Sequence, residues 1–288
     1  MSSPSAVIII ANWNGRRFLD DCLRSALSQD HRCFRVVLVD NGSSDGSVPF
    51  VKERFPGVEV MALDRNLGFA AANNMAMRRA LDEGVRYVAL LNNDTSSGPG
   101  WLGALASAMD ADPGVGICAA KLLRMDDPGV LDSTGHIFWG GLIYDRGGGE
   151  PDAGQYDGKP EVAGACAAAC LYRADMLREI GLFDESFGSY YEDAELTWRA
   201  HKAGWKARYV PSAVVLHKRY GSSSGDEAAR RAVSSRGAVN IARTAGRHAS
   251  LPAKLRISLS WLRGAAGELA GRGGPDYLMM LKVMWFGV

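Results

Sequence analysis

Cysteine is scarce in this 288-residue chain and badly placed for any joint role. Cys22, Cys33, Cys118, Cys166 and Cys170 are odd in number and include no CxxC pair. That spacing excludes a disulfide framework and a cysteine zinc centre, and it points to free thiols in a reducing compartment. Long apolar runs are missing too: Val7 to Ala11 is far too short for a membrane span or a signal peptide, and no basic segment precedes it. We therefore expect a protein that starts and stays in the cytoplasm. No GxGxxG follows the first strand-like run, which argues against a dinucleotide dehydrogenase, and the absence of GxxxxGK[ST] excludes a P-loop NTPase.

What is present is alternation. Ala6–Ala11 reads as a strand, followed by Asn12-Trp13-Asn14-Gly15 and a helix from about Arg17 to Gln29. A second strand, Arg35–Val39, ends in Asp40-Asn41-Gly42-Ser43-Ser44-Asp45, and Val48–Phe55 is a short helix. A third strand, Val58–Leu63, leads through Asp64-Arg65-Asn66-Leu67-Gly68 into an alanine-rich helix, Phe69–Glu83, which Gly84 stops. The fourth strand begins at Tyr87 and runs straight into Asn92-Asn93-Asp94. Strands alternating with amphipathic helices make a parallel sheet with right-handed crossovers, whose ligands gather at the carboxyl ends of the strands. Here those ends carry Asn and Asp side chains. Acceptors of that kind suit a nucleotide base and ribose, and Asp94 suits a hard divalent cation bearing phosphates. The plainer alternative is that Asn93-Asp94 makes a turn ahead of the helix Trp101–Ala111.

Beyond the strand Val115–Ala120, residues Arg124 to Glu161 are rich in Gly and Asp. We expect loops there that shape an acceptor pocket, with one hairpin around His136 to Tyr144. Val162–Tyr172 reads as a strand, with Gly164 admitting either a ligand or close helix packing. A helix from about Asp193 to Ala203 has Glu192, Asp193 and Glu195 crowded at its start, which the helix dipole alone would favour. Tyr190 and Tyr191 just before it are placed to wall a sugar. Lys206–Val210 and Val214–Leu216 read as two short strands broken at Pro211, the second delivering His217, a residue more often structural than a ligand in such a place.

Taken together, these pieces resemble the inverting glycosyltransferases of family 2, in particular their rhamnosyltransferase-like branch. The resemblance is carried by Val7 to Gly15, Val39 to Ser47, Asn66-Leu67-Gly68-Phe69, Leu91-Asn92-Asn93-Asp94, Gly181-Leu182-Phe183-Asp184-Glu185, Tyr191-Glu192-Asp193 and His217 with Gly221-Ser222. It implies an α/β protein of the GT-A fold: a Rossmann-like, mixed, mostly parallel sheet flanked by helices, with a C-terminal helical extension. Residues 1–224 would form the catalytic domain, with a nucleotide-sugar half to about 120 and an acceptor half from 121. The implied donor is a dTDP- or UDP-linked sugar, dTDP-rhamnose foremost. Asp40 would receive the base, Asn12 and Asn14 the base and ribose, and Ala11, Asn41, Arg65, Asn66, Gly68, Asn92 and Asn93 the rest of the nucleotide.

Asp94 matches the last acid of the DxD motif and, with His217, would hold Mg2+ or Mn2+. Asn92 stands where that motif often has its first acid, so a second carboxylate ligand is not expected. Asp193 matches the catalytic base, with Glu192 orienting the acceptor or the base. A glycan or lipid-linked acceptor in cell-envelope polysaccharide synthesis follows from the same resemblance. The alternatives are another hexose or N-acetylhexosamine from a UDP-sugar, or a non-catalytic nucleotide-sugar-binding assembly protein.

The net charge of +1 conceals an asymmetry. From Lys218 onward twelve Lys and Arg face four Asp and Glu, giving +8, whereas the preceding residues carry −7. A basic tail, 225–288, calls for an anionic partner. After a Ser222–Gly225 link, we expect helices at Asp226–Arg247 and Lys254–Ala270 and an apolar end, Tyr277–Val288. Basic residues interleaved with Trp and Leu favour the inner face of a membrane over nucleic acid. Packing on the catalytic domain, or on a second subunit as a homodimer, is the other expectation.

Overall fold

The computed structural model describes residues 5–218, 227–269 and 275–287. The expected Ser222–Gly225 link, the Gly221-Ser222 pair and the boundary at 224 lie outside the described residues. Strands β1 (Ala6–Asn12), β2 (Phe34–Asp40), β3 (Glu59–Ala62) and β4 (Tyr87–Leu91) alternate with helices α1 (Arg16–Leu27), α2 (Ser47–Arg54) and α3 (Phe69–Asp82). These four strands are parallel and ordered β3-β2-β1-β4.

Alternate side chains of β1 explain why both faces must be covered. Ala6, Ile8 and Ile10 pack with α1 and α2 residues such as Leu19, Leu23 and Val51. Val7 and Ile9 pack on the other face with Ala72, Ala76 and Met77 of α3. A strand buried on both faces reads as one apolar run, which is what Val7 to Ala11 is.

The remaining strands extend this sheet in mixed fashion. After β5 (Thr95–Ser97) and α4 (Trp101–Asp110) come β6 (Val115–Arg124), β7 (Leu131–Ser133), the β8–β9 hairpin (His136–Trp139, Leu142–Asp145) and β10 (Glu161–Val162). Then follow β11 (Ala169–Arg173), α5 (Ala174–Ile180), a 3-10 turn at Glu185–Phe187, α6 (Glu192–Lys202) and β12 (Lys206–His217). The sheet order is β10-β12-β6-β11-β4-β1-β2-β3, with β5 against β12 and β7 against β6.

Several sequence expectations change. Val162–Tyr172 is not one strand: β10 stops at Val162 and β11 starts at Ala169. A Cβ on Gly164 would lie 1.9 Å from Thr197 Oγ1, so this glycine admits helix α6 rather than a ligand. The two short strands around Pro211 are a single strand, β12, because a register shift between Val210 and Val214 takes up the proline. Strand β6 runs four residues beyond Ala120, and α5 was not anticipated at all.

The tail forms helices α7 (Glu227–His248), α8 (Leu251–Leu269) and α9 (Tyr277–Phe286). They share their own small core, in which Ala242, Ala245, Ile257, Trp261, Met280 and Met284 are buried together. The tail also packs on the α/β part of the chain. Asn240 Nδ2 donates to the carbonyls of Phe187, Ser189 and Tyr190 at 3.0, 3.2 and 2.7 Å. Arg247 pairs with Asp184, and His248 Nε2 meets Glu195 at 3.0 Å.

Candidate active site

Strand order reverses between β1 and β4, and it is at the carboxyl ends beside such a reversal that the ligands of open α/β sheets gather. Asn12 ends β1, Asp40 ends β2, and Asn93 follows β4. Their side chains are buried and joined: Asn93 Nδ2 donates to Asn12 Oδ1 at 2.7 Å, and Asn12 Nδ2 donates to Asp40 Oδ1 at 2.9 Å. The Asp40 Oδ2 atom accepts the Ser43 N–H at 3.0 Å. Asn14 and Ser43 close the rim, with the Asn14 N–H on Ser43 Oγ and the Ser44 N–H on Asn14 Oδ1. Gly15 is demanded here, since a Cβ would fall 2.1 Å from Asn93 Nδ2.

Asn41 and Asn66 hold the neighbouring wall. Asn41 Oδ1 accepts from the Leu67 N–H, its Nδ2 donates to Asn66 Oδ1, and Asn66 Oδ1 also accepts from the Gly68 N–H. Arg65 has an exposed side chain, while its backbone lies where a Cβ on Gly42 would come within 2.6 Å. Ala11 and Asn92 are half-buried at the same edge. The cradle predicted from Asn and Asp is thus a connected set, with several of its amides engaged in holding loops.

The pairing of β5 with β12 sets His217 opposite Thr95, which brings Asp94 beside it. Nε2 of His217 faces Asp94 Oδ1 at 3.4 Å, and Nδ1 lies 2.7 Å from Asp132 Oδ2 on β7. Burial would lower the imidazole's pKa, but the two flanking carboxylates outweigh it and push it up to about 9. Asp94 and His217 would suit a divalent cation once His217 Nε2 gives up the proton it holds toward Asp94, since a ligating imidazole must be neutral. Two cis ligands of an octahedral Mg2+ or Mn2+ lie about 3 Å apart, close to the gap observed. Among the described residues no three His, Cys, Asp or Glu cluster around one point. A site with two protein ligands leaves positions for phosphate oxygens, as is usual for Mg2+. The sequence did not reveal Asp132, whose role depends on pairing between β6 and β7.

At the start of α6 the three acids have separate fates. Glu195 is buried in an ion pair with Arg199 at 2.8 Å and with His248. Glu192 is buried, and its Oε2 has no hydrogen-bond partner. Burial, and then the charge of Asp193, hold its carboxyl well above the usual range, which favours the protonated form. Asp193 is fixed at the edge: Oδ2 accepts the Ala167 N–H at 2.9 Å and Oδ1 the Ala194 N–H at 2.8 Å. The next residue, Ala168, accepts the Asn92 N–H at 2.8 Å. Asp193 is therefore tied through two residues of backbone to the end of β4.

The loop leading into α6 carries Tyr190 and Tyr191 at φ 74° and 72°, a left-handed pair without glycine. Such backbone is costly and persists only where its surroundings enforce it. Tyr191 does not present its hydroxyl to a ligand; it accepts from the Ile143 N–H and donates to the Ile143 carbonyl, fastening the hairpin. Tyr190 is exposed. The hairpin also brings His136, with Nε2 at 3.7 Å from Asp145 and 4.0 Å from Asp193, and Nδ1 at 3.2 Å from Thr197. These residues fall in the passage expected to shape an acceptor pocket, though no motif marked them.

Comparison with known proteins agrees with this geometry. The model of Glycosyl transferase family 2 matches residues 7–181. An N-acetylglucosaminyl-diphospho-decaprenol L-rhamnosyltransferase of Mycobacterium tuberculosis is 30% identical over 245 residues, 77% of this chain and 78% of that protein. A pre-mycofactocin glycosyltransferase from the same species is 29% identical over 84% of this chain and 49% of its own. Among solved structures, the mannosyltransferase PcManGT from Pyrobaculum calidifontis, in complex with GDP-Man and Mn2+, superposes with a TM-score of 0.62 at 18% identity. That match covers 98% of this chain and 80% of the other, and it shows the GT-A fold. With its strand order reversing between β1 and β4 and a family match spanning more than half its length, the chain belongs to glycosyltransferase family 2 and is a glycosyltransferase.

Proposed function

We propose that the protein transfers L-rhamnose, with inversion, from dTDP-rhamnose to a hydroxyl of a lipid-linked glycan acceptor used in envelope polysaccharide synthesis. The observation that carries the transfer is the tie between Asp193 and Asn92 through the Ala167–Ala168 backbone, which puts a fixed carboxylate beside the donor crevice. The choice of rhamnose and of a lipid-linked acceptor draws support from the mycobacterial rhamnosyltransferase that the chain resembles at 30% identity.

In the mechanism, Asp40, Asn12 and Asn14 receive the base and ribose, and the walls built on Asn41, Asn66 and Gly68 shape the nucleotide's bed. Asp94 and His217 would hold Mg2+ or Mn2+, which supplies charge neutralisation on the departing diphosphate. Asp193 takes the proton of the acceptor hydroxyl as that oxygen attacks the anomeric carbon. Its two backbone N–H bonds fix the carboxylate, and lone pairs remain for the incoming proton. Attack opposite the leaving diphosphate inverts the centre in one displacement. Burial disfavours a second negative charge on Glu192 beside the base.

The test is a melting-temperature panel of dTDP-rhamnose, UDP-glucose and UDP-N-acetylglucosamine with Mn2+, followed by turnover on a polyprenyl-diphosphate glycan. Specific stabilisation and transfer with dTDP-rhamnose are expected, because a ligand of the native state raises its stability. Stabilisation by a UDP-sugar alone overturns the donor assignment. Asp193→Asn is expected to lower kcat by about 10²–10⁴ with nucleotide binding unchanged; wild-type turnover in that variant removes Asp193 as the base.

A further inference from the structure

Helix α8 has two opposed apolar faces, and the fold uses only one. Ala253, Ile257, Trp261 and Ala265 are buried against α7, α9 and the turn of the β8–β9 hairpin, where Gly141 abuts Ala253. On the far side, Leu251, Leu255, Leu259 and Leu262 are 51–61% exposed. At about 100° per residue these four leucines share an arc of roughly 80° centred opposite Ile257. Trp285 of α9 joins them: its Nε1 donates to Ser258 Oγ at 2.8 Å, and Phe286 beside it is 76% exposed. Leucine singly exposed is ordinary, but a stripe of four with two aromatic neighbours is an interaction surface.

The charges around the stripe select its occupant. Lys254 borders one side, with its Nζ 5.9 Å over the Trp285 ring, and Arg256 and Arg263 border the other. Between Leu251 and Ala266 there is no acidic residue. A second copy meeting this face about a two-fold axis would set basic rows against basic rows. An anionic bilayer offers the complementary charge, and apolar chains for the leucines. No described helix is long and apolar enough to cross a membrane.

We propose that the leucine face of α8, with Trp285 and Phe286, lies in the interface of an anionic lipid leaflet and holds the enzyme there as a peripheral protein. This surface is separate from the sugar-transfer site, and its binding needs neither donor nor acceptor. The docking is firm because α8 is not a loose appendage: its inner face is built into the tail core, and α7 fastens that core to the loop ahead of Asp193.

The experiment is flotation of the full chain with vesicles of phosphatidylglycerol and phosphatidylcholine in equal parts, and with phosphatidylcholine alone. Wild type is expected to float with the anionic vesicles and to be released as salt is raised. Leu255→Glu with Leu259→Glu, and separately Arg256→Glu with Arg263→Glu, are each expected to lower the bound fraction by about tenfold or more. Melting should be unchanged, since all four side chains are exposed. If the leucine pair disturbs folding, the arginine pair decides, as it removes no buried atom. Equal flotation of wild type and variants, or no flotation of wild type, overturns the assignment. So does a leucine variant that abolishes self-association while leaving vesicle binding intact, because the occupant is then a second copy.

Discussion

Glu192 and Asp193 are neighbours in the chain and opposites in environment. One is buried with an unpartnered oxygen and held neutral; the other sits at the crevice edge with two N–H groups fixing it. Glu192→Gln keeps the shape of the neutral acid and is expected to leave kcat within about fivefold, in contrast to Asp193→Asn. Because the folded-state pKa of Glu192 is raised, its burial opposes folding increasingly as pH climbs above 4.5, so the Gln variant should also melt no lower than wild type at pH 8. A Gln variant as inactive as Asp193→Asn would mean that Glu192 must ionise to work. Asp132 tests a different point. It orients His217 so that Nε2 faces Asp94, the arrangement by which carboxylates commonly steer a ligating histidine. Asp132→Asn is expected to weaken Mn2+ binding by about 10–100-fold, measured by the paramagnetic resonance of free Mn2+ without any turnover. Unchanged Mn2+ affinity would leave Asp132 a packing residue only.

Helix α6 and its neighbours show what the elements contribute. Glu195 is drawn up by burial, but His248 and Arg199 outweigh that and hold its pKa below 4.5. Its folded value being depressed, the stability it contributes is present above pH 4.5 and is lost as pH falls through the lowered value. Acid titration followed by circular dichroism should therefore show an acid-limb loss that Glu195→Gln lacks. Element by element, the first four strands are legible because they are apolar runs followed by Gly- and Asn-rich turns, and β1 to β4 fall within two residues of expectation. The elements after β6 are less so. Pro211 reads as a break because a bulge in β12 cannot be seen without its partner strand, and Gly164 stays open between a ligand and helix packing because Thr197, which needs the space, is 33 residues away. His136, Asp145 and Asp132 reach the site only through hairpin and edge-strand pairing, which no local pattern records.

At the scale of the molecule, the tail is both an outer surface and a structural brace. Deleting it is a poor way to test membrane contact, because the same cut removes the Asn240 amide from three carbonyls of the base loop. Asn240→Ala is expected to cost about 1–3 kcal/mol, since it takes the donor from the part-buried Ser189 and Tyr190 carbonyls, and to lower kcat more than it raises the donor KM. A variant with reduced stability but normal kcat would separate the brace from the chemistry.

The brace also imposes an order in time. Tyr190 leaves the ribosome 50 residues before the Asn240 side chain that holds it in its left-handed turn. At roughly 5–20 residues per second, the base helix of a growing chain waits some seconds with its entry loop unheld. A chain arrested before Asn240 has cleared the ribosome should therefore transfer no sugar, and a pulse assay on such ribosome complexes would reveal the delay. If so, the enzyme acquires its chemistry last, at about the moment the leucine face of α8 has emerged to find a leaflet.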